Sequence, residues 1–249
     1  MTTTLADIVA EGERLLDLAD EADLPLRLLG GVAVRLRAPD IPPALDRDYK
    51  DLDFAVHKKG AGALDDLLRS AGYEPHVTFN AMNARERALY LDASNGRQVD
   101  VFIHSFRMCH EIPLGDRLKI EPRTVPLAEL LLTKLQIIEL NEKDVRDTVL
   151  LLAGHDIGEQ DGDAVNGARI AELCGDDWGL WRTITGNLED CRTRVDAYDV
   201  DAETRERVVR RVGRLLERIE AEPKSRGWRR RAKVGERKRW YDLPEEVDG

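Results

Sequence analysis

The sequence is poor in cysteine and aromatic residues and has no long apolar run. Cys109, Cys174 and Cys191 are widely spaced and have no nearby Cys or His at zinc spacing, so we expect reduced, structural thiols. No segment approaches the roughly 20 apolar residues of a membrane span, and the first residues lack the basic and apolar regions of a signal peptide. These absences argue against a membrane partner and predict a cytoplasmic location.

Charged residues are abundant, but the sign of the charge changes along the chain. The 249 residues carry a formal net charge of −10. Between Arg205 and Arg239 there are fifteen Lys or Arg and five Glu, a local charge of +10 that leaves −20 for the remainder. An acidic body with one basic region argues against a general DNA-coating protein and allows a localised contact with a phosphate backbone.

Two motifs stand close together in the first quarter of the chain. Residues 24–29 are predicted to form a strand, and Gly30-Gly31 a turn at which the backbone can approach a ligand closely. Asp51 and Asp53 begin a second predicted strand, in which alternation places both carboxylates on one face. Like charges this close favour a cation between them, and their hard oxygen atoms suit Mg2+.

A third aspartate lies in a predicted hairpin. Residues 88–92 and 98–104 flank an Asn-Gly dipeptide, which is typical of a hairpin turn, and a short strand is expected within residues 73–79. In the second hairpin strand the aliphatic side chains face one way and Asp100 the other. If this strand lies beside that of Asp51 and Asp53, three carboxylates converge on the open face of one sheet.

The glycine turn and the three aspartates together resemble the signature of the polymerase-beta-type nucleotidyltransferase superfamily. The resemblance implies that Asp51 and Asp53 bind the catalytic metal ions, in a two-metal Mg2+ site. It further implies that Asp100 is a metal ligand or general base, and that Gly30 and Gly31 hold the phosphates of an NTP. In such chemistry two metal ions activate the attacking hydroxyl and neutralise the pyrophosphate leaving group in an in-line displacement.

A predicted helix over residues 127–140 adds a further candidate site residue, Lys134. Lys134 lies four residues from both Leu130 and Ile138, so it belongs to the edge of the apolar face or within it. A lysine on the buried side of a helix needs an anion as its partner.

The next predicted helix, residues 142–153, contains a Lys-Asp-x-x-Asp sequence that includes Asp144 and Asp147. With Lys134, this pattern resembles the AbiEii and MenT-like toxin nucleotidyltransferases, in which a helix lysine contacts the triphosphate and a basic-Asp-x-x-Asp helix supports the site. The resemblance covers about residues 24–155. It implies a toxin of a toxin–antitoxin system, a tRNA or other RNA acceptor, and an antitoxin protein as a partner.

Several of these residues also have a simpler structural interpretation. Asp144 and Asp147 lie one helical turn apart and could form ion pairs with neighbouring cations, Lys134 among them. Arg47 is a candidate for phosphate contact because a fork-shaped guanidinium suits that task, but it could equally be a surface residue.

The basic C-terminal region, residues 224–241, combines arginines with Trp228, Trp240 and Tyr241. Arginine beside exposed aromatic residues is typical of an RNA-binding surface, where stacking and phosphate neutralisation act together. The same residues could instead fold back onto the acidic body, with the tryptophans as anchors and the arginines paired to carboxylates.

We therefore expect an α/β (α+β) protein. A nucleotidyltransferase domain, residues 1–157, would combine a mixed sheet with flanking helices, and a helical domain with a basic tail, residues 158–249, would follow. The expected reaction is metal-dependent transfer of a nucleoside monophosphate from an NTP to a hydroxyl, most simply on tRNA or another RNA. Two alternatives stay open: a small-molecule nucleotidyltransferase of the antibiotic-modifying type, and a catalytically inactive binding module with the same fold.

Overall fold

The computed structural model describes residues 3–38, 40–83 and 85–243. Two compact units are present. Within the described residues, the first comprises 3–38, 48–107 and 112–126, and the second 40–47, 108–111 and 127–243. A five-stranded mixed sheet with helices is followed by a mainly helical region, so the predicted α+β class is confirmed.

The first unit is built on a sheet with strand order β1-β2-β5-β4-β3. Strands β2 and β5 run parallel, whereas the other neighbouring pairs are antiparallel. The hairpin predicted around Asn95-Gly96 is confirmed as β4 and β5, and Gly96 has a φ of 61°. The bounds are β1 (Leu26–Leu29), β2 (Asp51–Val56), β3 (Glu74–Pro75), β4 (Arg87–Asp92) and β5 (Arg97–Ile103).

Four helices belong to this unit: α1 (Ile8–Glu21), α2 (Gly30–Arg37), α3 (Ala61–Ser70) and α4 (Val77–Asn83). Helix α1 covers the apolar face of the sheet, where a Cβ added at Gly12 would lie 3.2 Å from the Leu52 side chain. Helix α4 replaces most of the strand expected within residues 73–79. The Phe79 backbone N–H donates to Nδ1 of His76, and this local hydrogen bond favours a helical turn over a strand.

The second unit is mainly helical, and its first helix ends earlier than expected. Helix α5 stops at Leu135 rather than near residue 140, because Asn187 donates from its amide to the carbonyls of Leu135 and Ile137. The bounds are α5 (Leu127–Leu135), α6 (Glu142–Gly154), α7 (Gly167–Asp176), α8 (Trp178–Arg194), α9 (Ala202–Ala221) and α10 (Arg226–Val234). Of the remaining short strands, β6 (Ser105–Arg107) belongs to the first unit, as do Ile112 and Pro113 of β7 (Glu111–Pro113). Strands β8 (Ile157–Gly158) and β9 (Val165–Asn166) belong to the second unit.

Helices α5 and α6 group with the C-terminal helices in the second compact unit, which also contains residues 40–47 and 108–111. The assignment of residues 1–157 as one functional domain stays a prediction. None of the helices in the described part of the chain is long and apolar enough to cross a membrane.

The three cysteines are buried and form no disulfide. Burial raises the pKa of the Cys191 thiol to about 12 and raises that of Cys174 as well, because a thiolate would be desolvated there. These thiols are therefore poor nucleophiles in the folded protein.

Candidate active site

The paired aspartates and Asp100 lie on adjacent strands of the first unit's sheet. Strands β2 and β5 are parallel and in register, with Asp53 opposite Asp100 and Asp51 opposite Gln98. Because residues directly opposite each other point to the same face, all three carboxylates share one face of the sheet. The aliphatic residues of both strands are buried on the other face. The structure thus has the strand adjacency on which the three-carboxylate prediction depends.

The glycine turn lies against one of these carboxylates. Gly30 begins α2 with a φ of 69°, in the left-handed region that favours glycine. A Cβ added here would lie 1.9 Å from Oδ2 of Asp53, closer than any real contact allows. The first backbone turn of α2, which includes Gly31, is therefore brought directly beside the Asp53 side chain.

Asp100 is not on an open face as expected, since its side chain is only 6% exposed. Its carboxylate is held by Arg87 of β4 in a two-point contact. Nε donates to Oδ1 at 2.7 Å, and Nη2 donates to Oδ2. Sequence reasoning missed Arg87. The hairpin register contains the necessary signal, because it places Arg87 opposite Phe102, diagonally across from Asp100 on the same face.

A divalent cation such as Mg2+ requires several oxygen ligands, and the aspartates of this face are the candidates to supply them. Asp51 is exposed and Asp53 is half-buried, and both supply hard oxygen atoms on the face that Gly30 approaches. Within the described ranges, no three His, Cys, Asp or Glu side chains are grouped closely enough to form a ready-made metal site. Asp51 and Asp53 fit a Mg2+ ion by chemistry, whereas both oxygen atoms of Asp100 accept hydrogen bonds from Arg87.

The remaining predicted site residues, Arg47, Lys134, Asp144 and Asp147, belong to the second unit and form one cluster of charged side chains there. Asp147 of α6, with a side chain only 2% exposed, receives two hydrogen bonds from Arg47: Nε to Oδ1 at 2.9 Å and Nη2 to Oδ2 at 2.7 Å. Nζ of Lys134 lies 2.8 Å from Oδ2 of Asp147 and 3.5 Å from Oδ1 of Asp144. The anion near Lys134 is thus a pair of carboxylates, as the simpler structural interpretation allowed.

The two carboxylates of this cluster differ in environment. Burial raises the pKa of Asp144 above its ordinary value, and the nearby Lys134 only partly opposes that shift. Asn141 caps the helix by accepting a hydrogen bond from the Asp144 backbone N–H. Asp147 carries most of the contacts to cations, and Asp144 contributes the longer one.

The aromatic residues of the C-terminal region are packed against the second unit's own helices. Trp228 lies 5.2 Å from Trp181, and Trp240 lies 6.1 Å from Trp178, measured between ring centroids. Nε1 of Trp240 donates to Thr183 at 3.1 Å. A Cβ added at Gly179 would lie 2.6 Å from the Trp240 carbonyl oxygen. The tryptophans are anchors in a packed cluster, as the folded-back alternative proposed.

The basic residues of the same region remain at the surface. Within the described part of the chain none of the following six exposed side chains has a carboxylate partner. They are Arg226, Arg229, Arg230, Lys233, Lys238 and Arg239. On α10 the spacing of three, four and seven residues from Arg226 places four of them on one helical face. The C-terminal region thus combines exposed positive charge with half-buried aromatic rings that pack on one another and on α8.

No protein-family model matches this chain, and neither does any curated protein. Among solved structures, the chain is similar to the antibiotic-resistance factor ANT(2'')-Ia, whose solution structure has been described, with 15% identity and a TM-score of 0.40. The similarity covers 57% of this chain and 81% of that one. The functional assignment therefore depends on the chain's own residues.

Proposed function

We propose that the protein is a metal-dependent nucleotidyltransferase that moves a nucleoside monophosphate from an NTP to a hydroxyl. The observation that carries the proposal is the shared face of β2 and β5, where Asp53 lies in register with Asp100 and against the Gly30 turn. Three carboxylates beside a glycine turn at a helix N-terminus combine oxygen ligands for a cation with backbone N–H donors for phosphate.

Each residue of this face has a distinct proposed role. Asp51 and Asp53 would hold Mg2+, which, when bound, neutralises phosphate charge and lowers the pKa of the attacking hydroxyl. Gly30 and Gly31 would present the first N–H groups of α2 to the phosphates. Asp100 would accept the hydroxyl proton or complete the metal site. The hydroxyl oxygen forms a bond to the α-phosphorus, the bond to the bridging oxygen breaks, and pyrophosphate leaves.

A direct role in the reaction is less well supported for the cluster of Arg47, Lys134, Asp144 and Asp147 in the second unit. Arg47 and Lys134 were predicted to contact phosphate, with Asp144 and Asp147 in support. The short contacts to Asp147 favour a structural function for these cations, so their phosphate role stays a prediction.

The reaction is tested by incubating the purified protein with each α-labelled NTP, Mg2+ and total tRNA. We expect label on RNA with one or more nucleotides, and its loss in the double variant Asp51→Asn/Asp53→Asn, because neutral amides cannot hold the cation. An Asp66→Asn/Glu74→Gln variant removes the same charge from exposed positions of the first unit and should retain transfer. The absence of NTP binding in the wild-type protein would contradict the enzyme proposal itself.

We further propose tRNA or another RNA as the acceptor, with a toxin's role and an antitoxin as partner following from the resemblance alone. The exposed basic face of α10 supports an RNA contact based on phosphate neutralisation. Truncation of the tail is an unsuitable test, because it would also remove Trp228 and Trp240 from their packed cluster.

Charge neutralisation on α10 tests the RNA contact without disturbing the tryptophans. The variant carries Gln at Arg226, Arg229, Arg230 and Lys233. We expect its RNA affinity to fall at least about tenfold at low salt, and the salt dependence of binding to flatten, because fewer counterions are released. Both are measured by filter binding over a salt series.

The matched control for this variant carries Gln at four exposed cations of the first unit: Lys58, Lys59, Arg69 and Lys119. It changes the net charge equally and should bind RNA as the wild type does. Equal losses in both variants would indicate a nonspecific charge effect. Transfer of label to a small aminoglycoside-like hydroxyl compound, with none on RNA, would favour the small-molecule alternative that the acidic body allows.

A further inference from the structure

We propose that Arg87 is the built-in counter-ion of Asp100, and that a divalent cation reaches this carboxylate only when Arg87 releases it. The inference rests on the proposed function and deepens it, because it adds a positioning residue to the same face of the sheet. Arg87 would hold the Asp100 carboxylate in a fixed orientation in the metal-free protein, and would give up that contact when the site is loaded.

The geometry of the contact makes it a direct competitor of a metal ion. Both oxygen atoms of Asp100 accept from the Arg87 guanidinium, so the carboxylate is engaged by the flat fork that matches it best. The two side chains are only 16% and 6% exposed. Water therefore screens the pair weakly, and the attraction is stronger than in a surface ion pair.

Two aromatic rings fix the guanidinium in this position. The Cζ atom of Arg87 lies 5.5 Å from the centroid of the Phe79 ring and 5.2 Å from that of Phe102. Contacts of a guanidinium with aromatic faces are favourable, above all where water is partly excluded. Helix α4 and strand β5 thus hold Arg87 over Asp100 instead of leaving it to sample the solvent.

The position of Asp53 supplies the physical reason for such a counter-ion. Asp53 lies directly opposite Asp100 on the neighbouring strand, and like charges in that position destabilise a sheet. Arg87 neutralises one of them in the metal-free protein. A cation held by the aspartates of this face would have the same neutralising effect, so guanidinium and metal would occupy the site in alternation.

The test measures Mn2+ binding to the full-length, nucleotide-free protein by electron paramagnetic resonance. We expect Arg87→Gln to bind Mn2+ at least about tenfold more tightly than the wild type, since the competing charge is gone. Arg87→Lys keeps the charge but loses the fork, and should lie between them. Arg69→Gln removes an exposed ion pair of the same unit and should leave the Mn2+ affinity unchanged.

If Arg87→Gln is unstable, its melting temperature with and without Mn2+ tests the same competition. Without metal this variant should melt below the wild type, and saturating Mn2+ should raise its melting temperature by more than it raises that of the wild type. Equal Mn2+ affinities and equal metal-induced shifts in the two proteins would overturn the role of Arg87, even if nucleotidyl transfer is intact. The predicted Mn2+ affinities without any labelled transfer would count against the proposed reaction alone.

Discussion

Replacing Gly30 by alanine should reduce nucleotidyl transfer by at least about 100-fold, because the new methyl group and the Asp53 carboxylate cannot occupy the same space. The Cβ would lie 1.9 Å from Oδ2 of Asp53, so either the aspartate or the first turn of α2 must move. The φ of 69° adds backbone strain, and we expect a stability loss of about 2 kcal/mol or more. Transfer kinetics and urea denaturation measure the two effects.

Two further variants separate the clash from the strain. Gly62→Ala on α3 is the matched control, since a Cβ there meets nothing within 4 Å and should leave activity and stability near the wild-type values. In Gly30→Ala/Asp53→Ala the carboxylate is absent, so the combined stability loss should be smaller than the sum of the single losses. Wild-type transfer by Gly30→Ala would contradict the close approach of the turn to Asp53.

The sequence was sufficient to predict the part of the site that depends on alternation and local turns. Asp51 and Asp53 share a face because they are two residues apart in a strand, and the Asn95-Gly96 dipeptide correctly predicted the hairpin that contains Asp100. Both features follow from short-range rules. The parallel pairing of β2 with β5 does not, because no local pattern states which strands become neighbours.

The burial of Asp100 could not be read from the sequence for the same reason. The hairpin register could have placed Arg87 beside Asp100, but the burial also depends on Phe79 packing from α4, a segment where the β-branched and aromatic residues favoured a strand. Tertiary contacts decided between two local structures of similar propensity. The same limit applies to the tryptophans of the tail, since a pattern of arginine and aromatic residues does not show whether a ring packs against a neighbouring helix, as Trp228 and Trp240 do.

The second large effect is expected at Asp147, where Asp147→Asn should destabilise the protein by about 3 to 5 kcal/mol. Its buried carboxylate accepts two hydrogen bonds from Arg47 and lies 2.8 Å from Nζ of Lys134. An amide of the same shape removes the negative charge and turns an NH2 group toward these donors. Two largely buried cations would then lack their main anion. Urea denaturation at pH 7 measures the loss.

Asp144→Asn is the matched control, because Asp144 lies one turn away on α6 and faces the same lysine at 3.5 Å. Burial raises the pKa of Asp144, so the ionised form carries a penalty that is full above the raised pKa and is lost as the pH falls from there to the ordinary value. A neutral amide relieves this penalty at pH 7 while losing the longer contact to Lys134. We expect a change within about 1 kcal/mol. Equal losses for the two variants would show that the charge of α6 as a whole, rather than the Asp147 contacts, stabilises Arg47 and Lys134.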